Sequence, residues 1–402
     1  MLAVQAGFQR IKLGKITNYQ LRITNKYKIL IIKQFITNFP KVRKLLESYF
    51  LQVKMDFRTE LHINQNISAD FPQISHKMPI LSIGSCFADM IGAKLAFYKF
   101  KVISNPFGII FNPISINKLL KMSLEDDLEE NFDNNFHNNF IKNKENNWYH
   151  YDFHSDLCGN SKEILDQKIK EQIKKTQDFF RSDLSENRPK TLILTFGTAF
   201  VYVQNQNNEI VANCHKIPQK NFTKKMLSVD EIVANFDEIY PKSLRQNTQI
   251  IITVSPVRHI KDTLVLNSVS KSILRVAAHI LSEKYEKVYY FPSFELMNDD
   301  LRDYRFYKTD MLHPSTQAED YIWQKFVQAC MSAPTQAIMQ VWENLYKNVS
   351  HKNQKEFSQE KSEKHNQFLQ KTLFELENLA QTLAEEIDLK EEIEKLRNRI
   401  KY

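Results

Sequence analysis

Glycine is scarce here, with seven in 402 residues, and cysteine scarcer, with four. Cys86, Cys158, Cys214 and Cys330 are dispersed, without a CxxC pair or zinc-type spacing. They read as reduced thiols of a cytoplasmic protein rather than as a metal site or a disulfide framework. No run of about 18 apolar residues is evident, which argues against a membrane span. The first residues lack the basic start, apolar core and small-residue cleavage site of a signal peptide. Excess positive charge is also missing from most of the chain. Residues 1–54 hold eleven Lys/Arg against one acid, Glu47, whereas the other 348 residues hold 44 basic and 46 acidic side chains. The net charge of +8 is therefore a property of the N-terminal segment, and the body offers no basic groove for a nucleic acid.

What is present is an alternation of apolar strands and long helices. Ile80–Ile83, Thr191–Phe196, Ile250–Ser255 and Val288–Phe291 read as buried strands. Ala88–Phe97, Glu163–Phe180, Leu266–Lys284 and Thr316–Ala329 read as helices. This pattern predicts an α/β fold with a mostly parallel sheet covered on both faces. Three segments are expected: a basic extension (1–54) that reads as a dispensable arm or a start-site artefact in preference to a membrane-surface patch, a body (55–335), and a helical tail (336–402). Within the extension, residues 41–50 have the pattern of a short amphipathic helix. In the tail, Leu373, Leu376, Ala380, Leu383, Ile387, Ile393, Leu396 and Ile400 recur at steps of three and four. Either a coiled coil making a homo-oligomer or a helix folded back on its own domain would use that stripe.

Ser85 and Cys86 fall where the first strand hands over to a helix, after Gly84. Unpaired N–H groups and the helix dipole meet there, a favourable place for a nucleophile beside developing negative charge. Ser85 directly follows the glycine and is the better placed of the two. Cys86, with His215 as base, is the rival. Near the end of the body, Asp310 and His313 are three apart. The carboxylate can fix one imidazole nitrogen and leave the other to take a proton. Gly108 and Gly197 lie in loops where a glycine lets a backbone N–H approach a substrate oxygen. The aromatic and histidine run 148–155 reads equally as a pocket wall or a sheet-edge cover. His150, His154, His215 and His313 do not form a recognisable ligand set, and neither a metal nor a cofactor is implied.

These residues sit in stretches that resemble the bacterial GSCFA-domain family: Ile83-Gly84-Ser85-Cys86-Phe87-Ala88, Asn105-Pro106-Phe107-Gly108, Leu194-Thr195-Phe196-Gly197-Thr198-Ala199, Val211-Ala212-Asn213-Cys214-His215-Lys216, Ser255-Pro256-Val257-Arg258-His259 and Asp310-Met311-Leu312-His313-Pro314-Ser315. Members begin near a Phe-Arg-Thr-Glu stretch, here Phe57–Glu60, which points to Met55 as the start. The family is in turn similar to SGNH, or GDSL-like, esterases and acyltransferases, which implies a three-layer α/β/α, flavodoxin-like fold. It also implies Ser85 as nucleophile, His313 as base, Asp310 as its orienter and Gly108 as an oxyanion donor. The SGNH pattern has Gly-x-Asn in its third block, where this chain reads Gly197-Thr198-Ala199. Either backbone N–H groups alone would then form the oxyanion hole, or Thr198, Asn213 or His215 would replace the missing amide. The expected activity is hydrolysis of ester bonds, with a small-molecule or carbohydrate ester as substrate. The same triad would serve an O-acyltransferase, and the same fold a non-catalytic binding module.

Overall fold

A computed structural model describes residues 71–125, 134–143, 145–181, 189–240, 247–350, 359–384 and 386–400. The expectations for residues 1–54 and for a start at Met55 lie outside these.

Five parallel strands form the central sheet: β1 (Ile80–Gly84), β2 (Val102–Ser104), β5 (Lys190–Phe196), β9 (Thr248–Val254) and β10 (Val288–Phe291). Their spatial order is β10-β9-β5-β1-β2. Counting sheet strands in chain order this is 2-1-3-4-5, the flavodoxin-like winding, whose switch point lies between β1 and β5. Every residue of β1 and β5 is buried, as continuous apolar strands require when helices cover both faces.

Alternation along the strands assigns those faces. Leu81, Ile83, Leu192, Leu194, Ile250 and Ile252 share one apolar cluster with α2 (Pro113–Leu124), α3 (Lys162–Arg181), α4 (Val229–Ile239) and α5 (Thr263–Lys284). The alternate residues Ile80, Ile193 and Ile251 lie outside that cluster and are equally buried. The helix α1 (Cys86–Phe97) follows β1, and α6 is Thr316–Cys330. The layers are therefore α/β/α. Two smaller antiparallel sheets are added: β3 (Phe140–Lys142) with β4 (Trp148–His150), and β6 (Phe200–Gln204) between β7 (Ile210–Val211) and β8 (Phe222–Met226).

Residues 260–284 reach a mean hydropathy of 1.3 over an 18-residue window. Among the described residues this is the one helix long and apolar enough, by length and composition alone, to cross a membrane. Leu274, Ala277, Ala278 and Leu281 on it are buried in the core, and Val265, Val269 and Val276 are exposed.

The tail forms α7 (Ala333–Ser350), α8 (Gln359–Thr382) and α9 (Lys390–Ile400). Its apolar stripe turns inward, with Trp342, Leu369, Leu376, Ile387, Leu389 and Leu396 in one cluster that Phe97 and Tyr98 of the body join. Trp342 Nε1 donates to the Phe97 carbonyl at 2.6 Å, Lys77 pairs with Glu386 at 3.1 Å, and Lys99 pairs with Glu392. These residues fold back on their own chain.

Candidate active site

Gly84 ends β1 with φ +149°, and a Cβ there would lie 2.2 Å from the Thr195 carbonyl oxygen. Only glycine fits so close an approach between β1 and β5. The next residue, Ser85, caps α1 from an extended conformation (φ −70°, ψ 176°), its Oγ accepting from Phe87 N at 3.3 Å. Ser85 N–H donates to Thr195 O at 3.2 Å. The side chain is fully buried.

Asn105 braces this turn, a role that no sequence pattern disclosed. Its Oδ1 accepts from Gly84 N at 2.8 Å and its Nδ2 donates to Asp89 Oδ1 at 2.6 Å. Two residues of the same run are thereby accounted for: Asn105 itself has φ +40°, and Gly108 has φ +73°. Gly108 N–H donates to Asn105 O at 2.8 Å, closing a turn, so in this geometry it is not a free oxyanion donor. A Cβ on Gly108 would lie 2.3 Å from His154 Cβ.

The loop after β5 is held from two sides. Gly197 and Thr198 N–H both donate to the Phe111 carbonyl, at 2.7 and 3.1 Å. Thr198 Oγ1 lies 3.1 Å from Ser270 Oγ. Lys271 is fully buried in α5, and its Nζ donates to Gly197 O at 2.6 Å and Ser255 O at 2.7 Å. Burial lowers its amine to about 7. The cation thus ties together the carboxyl ends of β5 and β9.

Asn213 and His215 belong to a separate polar cluster with residues of the 148–155 run. His215 Nδ1 is 3.1 Å from Ser155 Oγ and its Nε2 is 2.9 Å from His150 O. Asn213 donates to Ser155 Oγ at 3.2 Å and accepts from His215 N at 2.9 Å. Burial holds His215 at about 4 and His150 at about 3. His215 is fastened to this cluster rather than to Cys86, whose thiol is pushed up by burial and then by Asp89. A helix N-terminus ordinarily lowers a thiol. Here desolvation outweighs it, and the rival nucleophile loses both its activation and its base.

Asp310 and His313 meet directly, Oδ2 to Nδ1 at 2.6 Å, at a half-exposed loop. Asp310 Oδ1 accepts the N–H groups of His313 (3.0 Å) and Leu312 (2.8 Å), and these bonds hold its carboxyl at about 2. An ionised carboxylate at Nδ1 selects the Nδ1–H tautomer and leaves Nε2 to accept a proton. Among the described residues His313 has no hydrogen bond to Ser85. The loop is attached to the end of β9 instead, through Arg258 N–H to Leu312 O at 3.2 Å. The adjacent His259 is held at about 3 by burial, with Lys271, His313 and Lys261 adding to the effect. Among the described residues its buried Nε2 has no hydrogen-bond partner. The chemistry-bearing loops therefore follow β1, β5 and β9, around the switch point where open α/β sheets bind ligands. Among the described residues no three His, Cys, Asp or Glu side chains form a metal-binding group.

The GSCFA family model matches residues 79–326, a span running from β1 into α6 that includes every residue above. No curated protein and no solved structure matches the chain.

Proposed function

The chain belongs to the GSCFA family, and from that premise we propose that it is a serine hydrolase acting on ester bonds, with an acylated carbohydrate as the substrate class. Ser85 Oγ attacks the ester carbonyl while His313 Nε2 takes its proton and Asp310 holds the imidazolium. The alcohol leaves with that proton. Water, deprotonated by His313, then splits the acyl-Ser85 ester to a carboxylic acid. An acceptor hydroxyl in place of water makes the same residues an acyltransferase. The observation that carries the reading is the 2.6 Å Asp310–His313 pair, on a loop bonded through Leu312 to Arg258 after β9, a strand whose carboxyl end lies on the same side of the sheet as Ser85. Catalytic hydrogen bonds of unliganded enzymes often tighten only when substrate binds, so Ser85 and His313 need to approach on binding. The resting bonds of the Ser85 and Gly108 N–H groups, and the absent third-block amide, predict a modest rate. One missing oxyanion donor costs about 10²–10³ in rate.

A second reading, a non-catalytic carbohydrate- or partner-binding module, is favoured by the full burial of Ser85 and the lack of a Ser85–His313 bond. A fluorophosphonate probe separates the two. Labelling of the wild-type protein that is lost in Ser85→Ala supports the hydrolase. Equal labelling of both removes Ser85 as nucleophile, and no labelling of either favours the binding module.

A further inference from the structure

A cavity of about 240 Å³ opens beside the His313 loop. Its walls include Arg258, Asn267, Ser268, Lys271, Asn298 and Tyr304. None of its described lining residues is acidic, and two, Arg258 and Lys271, are basic. Arg258 is the unusual member. Its guanidinium lies 4.0 Å from the Tyr307 ring and 5.3 Å from Tyr304, and it donates to Met311 O at 3.4 Å. Among the described residues no carboxylate pairs with it. A half-buried guanidinium held over aromatic rings is a preorganised fork for an oxyanion. Lys271 also lines the cavity, and two of its three N–H groups are used on Gly197 O and Ser255 O. At about 240 Å³ the space is smaller than the roughly 300–1,000 Å³ of pockets for drug-sized ligands. It suits a short acid better than a nucleotide.

We propose that this cavity is an anion subsite: it selects esters that carry a second, ionised oxyanion group, a carboxylate or a phosphate, and Arg258 is the specificity-determining residue. The proposal rests on the hydrolase reading for its ester, but not for its anion. Arg258 is joined to the catalytic loop through both its backbone N–H and its side chain, so an anion held by the guanidinium fixes the substrate beside His313. Lys271, held near 7 by burial, gains proton affinity when an anion enters, which strengthens the attraction.

The test compares 4-nitrophenyl hemisuccinate with neutral 4-nitrophenyl butyrate. The wild type favours the hemisuccinate by about tenfold or more in kcat/KM, the scale of one charge-assisted hydrogen bond. Arg258→Gln brings that ratio close to one through KM, and Arg258→Lys keeps part of it. A purely structural defect would slow both esters alike and leave the ratio unmoved. A second readout does without hydrolysis: the Ser85→Ala protein is titrated calorimetrically with monomethyl succinate and with inorganic phosphate. Binding weakened about tenfold by adding Arg258→Gln supports the subsite, and the tighter anion identifies the group. If such binding is found while no ester is cleaved, the hydrolase reading alone falls. A wild-type ratio near one in an active enzyme overturns the subsite, as does anion binding that is absent or survives Arg258→Gln.

Discussion

At the scale of single residues, the proposed hydrolysis divides orientation from proton transfer between Asp310 and His313. Asp310→Asn keeps the shape but presents an amide where the Nδ1–H tautomer needs an anion, and a loss of about 10³–10⁴ in kcat is expected from ester-hydrolysis kinetics. The buried imidazoles act on stability. His150 and His215 are held at about 3 and about 4 by burial, below the ordinary 6.5. The unfolded chain therefore binds more protons than the native one between pH 6.5 and those values. The stability is fully present above pH 6.5 and drains away as the pH falls through that window. Urea midpoints measured from pH 7 to pH 4.5 check this, and His150→Gln should reduce proton uptake on unfolding near pH 5 by about one. The sequence made Ser85, Asp310 and His313 legible because each sits in a short, chemically distinctive run. It hid Lys271, which reads as one more polar residue in an amphipathic helix, and Asn105, whose work is done by a side chain reaching back 21 positions to Gly84.

At the scale of elements, the turn after β1 tolerates no side chain. Gly84→Ala combines an unfavourable φ with a Cβ only 2.2 Å from Thr195 O. A loss of about 2–4 kcal/mol is expected in chemical denaturation, together with slowed labelling of Ser85. The four principal strands and their long helices emerged within a few residues of their predicted limits, since continuous apolar runs and 3.6-residue periodicity are strong signals. Weaker elements escaped. β6–β8 form a half-buried ribbon whose polar residues blur its alternation. The helix α4, by contrast, carried a full capping box, Ser228 with Glu231, which was available to sequence reasoning and overlooked.

At the scale of the whole molecule, the winding of the sheet gathers Ser85, Gly197 and Ser255 at one edge, an outcome that follows from parallel strands all ending on the same side. Periodicity alone could not choose between the two fates of the C-terminal stripe, because an apolar seam looks the same whichever surface covers it. Its burial against Phe97 and Tyr98 makes the tail part of this chain's own core. Trp342→Ala should cost about 3–5 kcal/mol and expose the tail to limited proteolysis before the sheet unfolds. One consequence reaches further. The helix α1 begins at Ser85 and ends where Trp342 and Glu392 grip Phe97 and Lys99. Twelve residues of helix form a rod roughly 18 Å long, too stiff to be slack at one end and true at the other. A clip in the tail is therefore expected to tilt Ser85, the proposed nucleophile, without touching it, so that under the hydrolase proposal specific activity becomes a gauge of whether α7, α8 and α9 are docked.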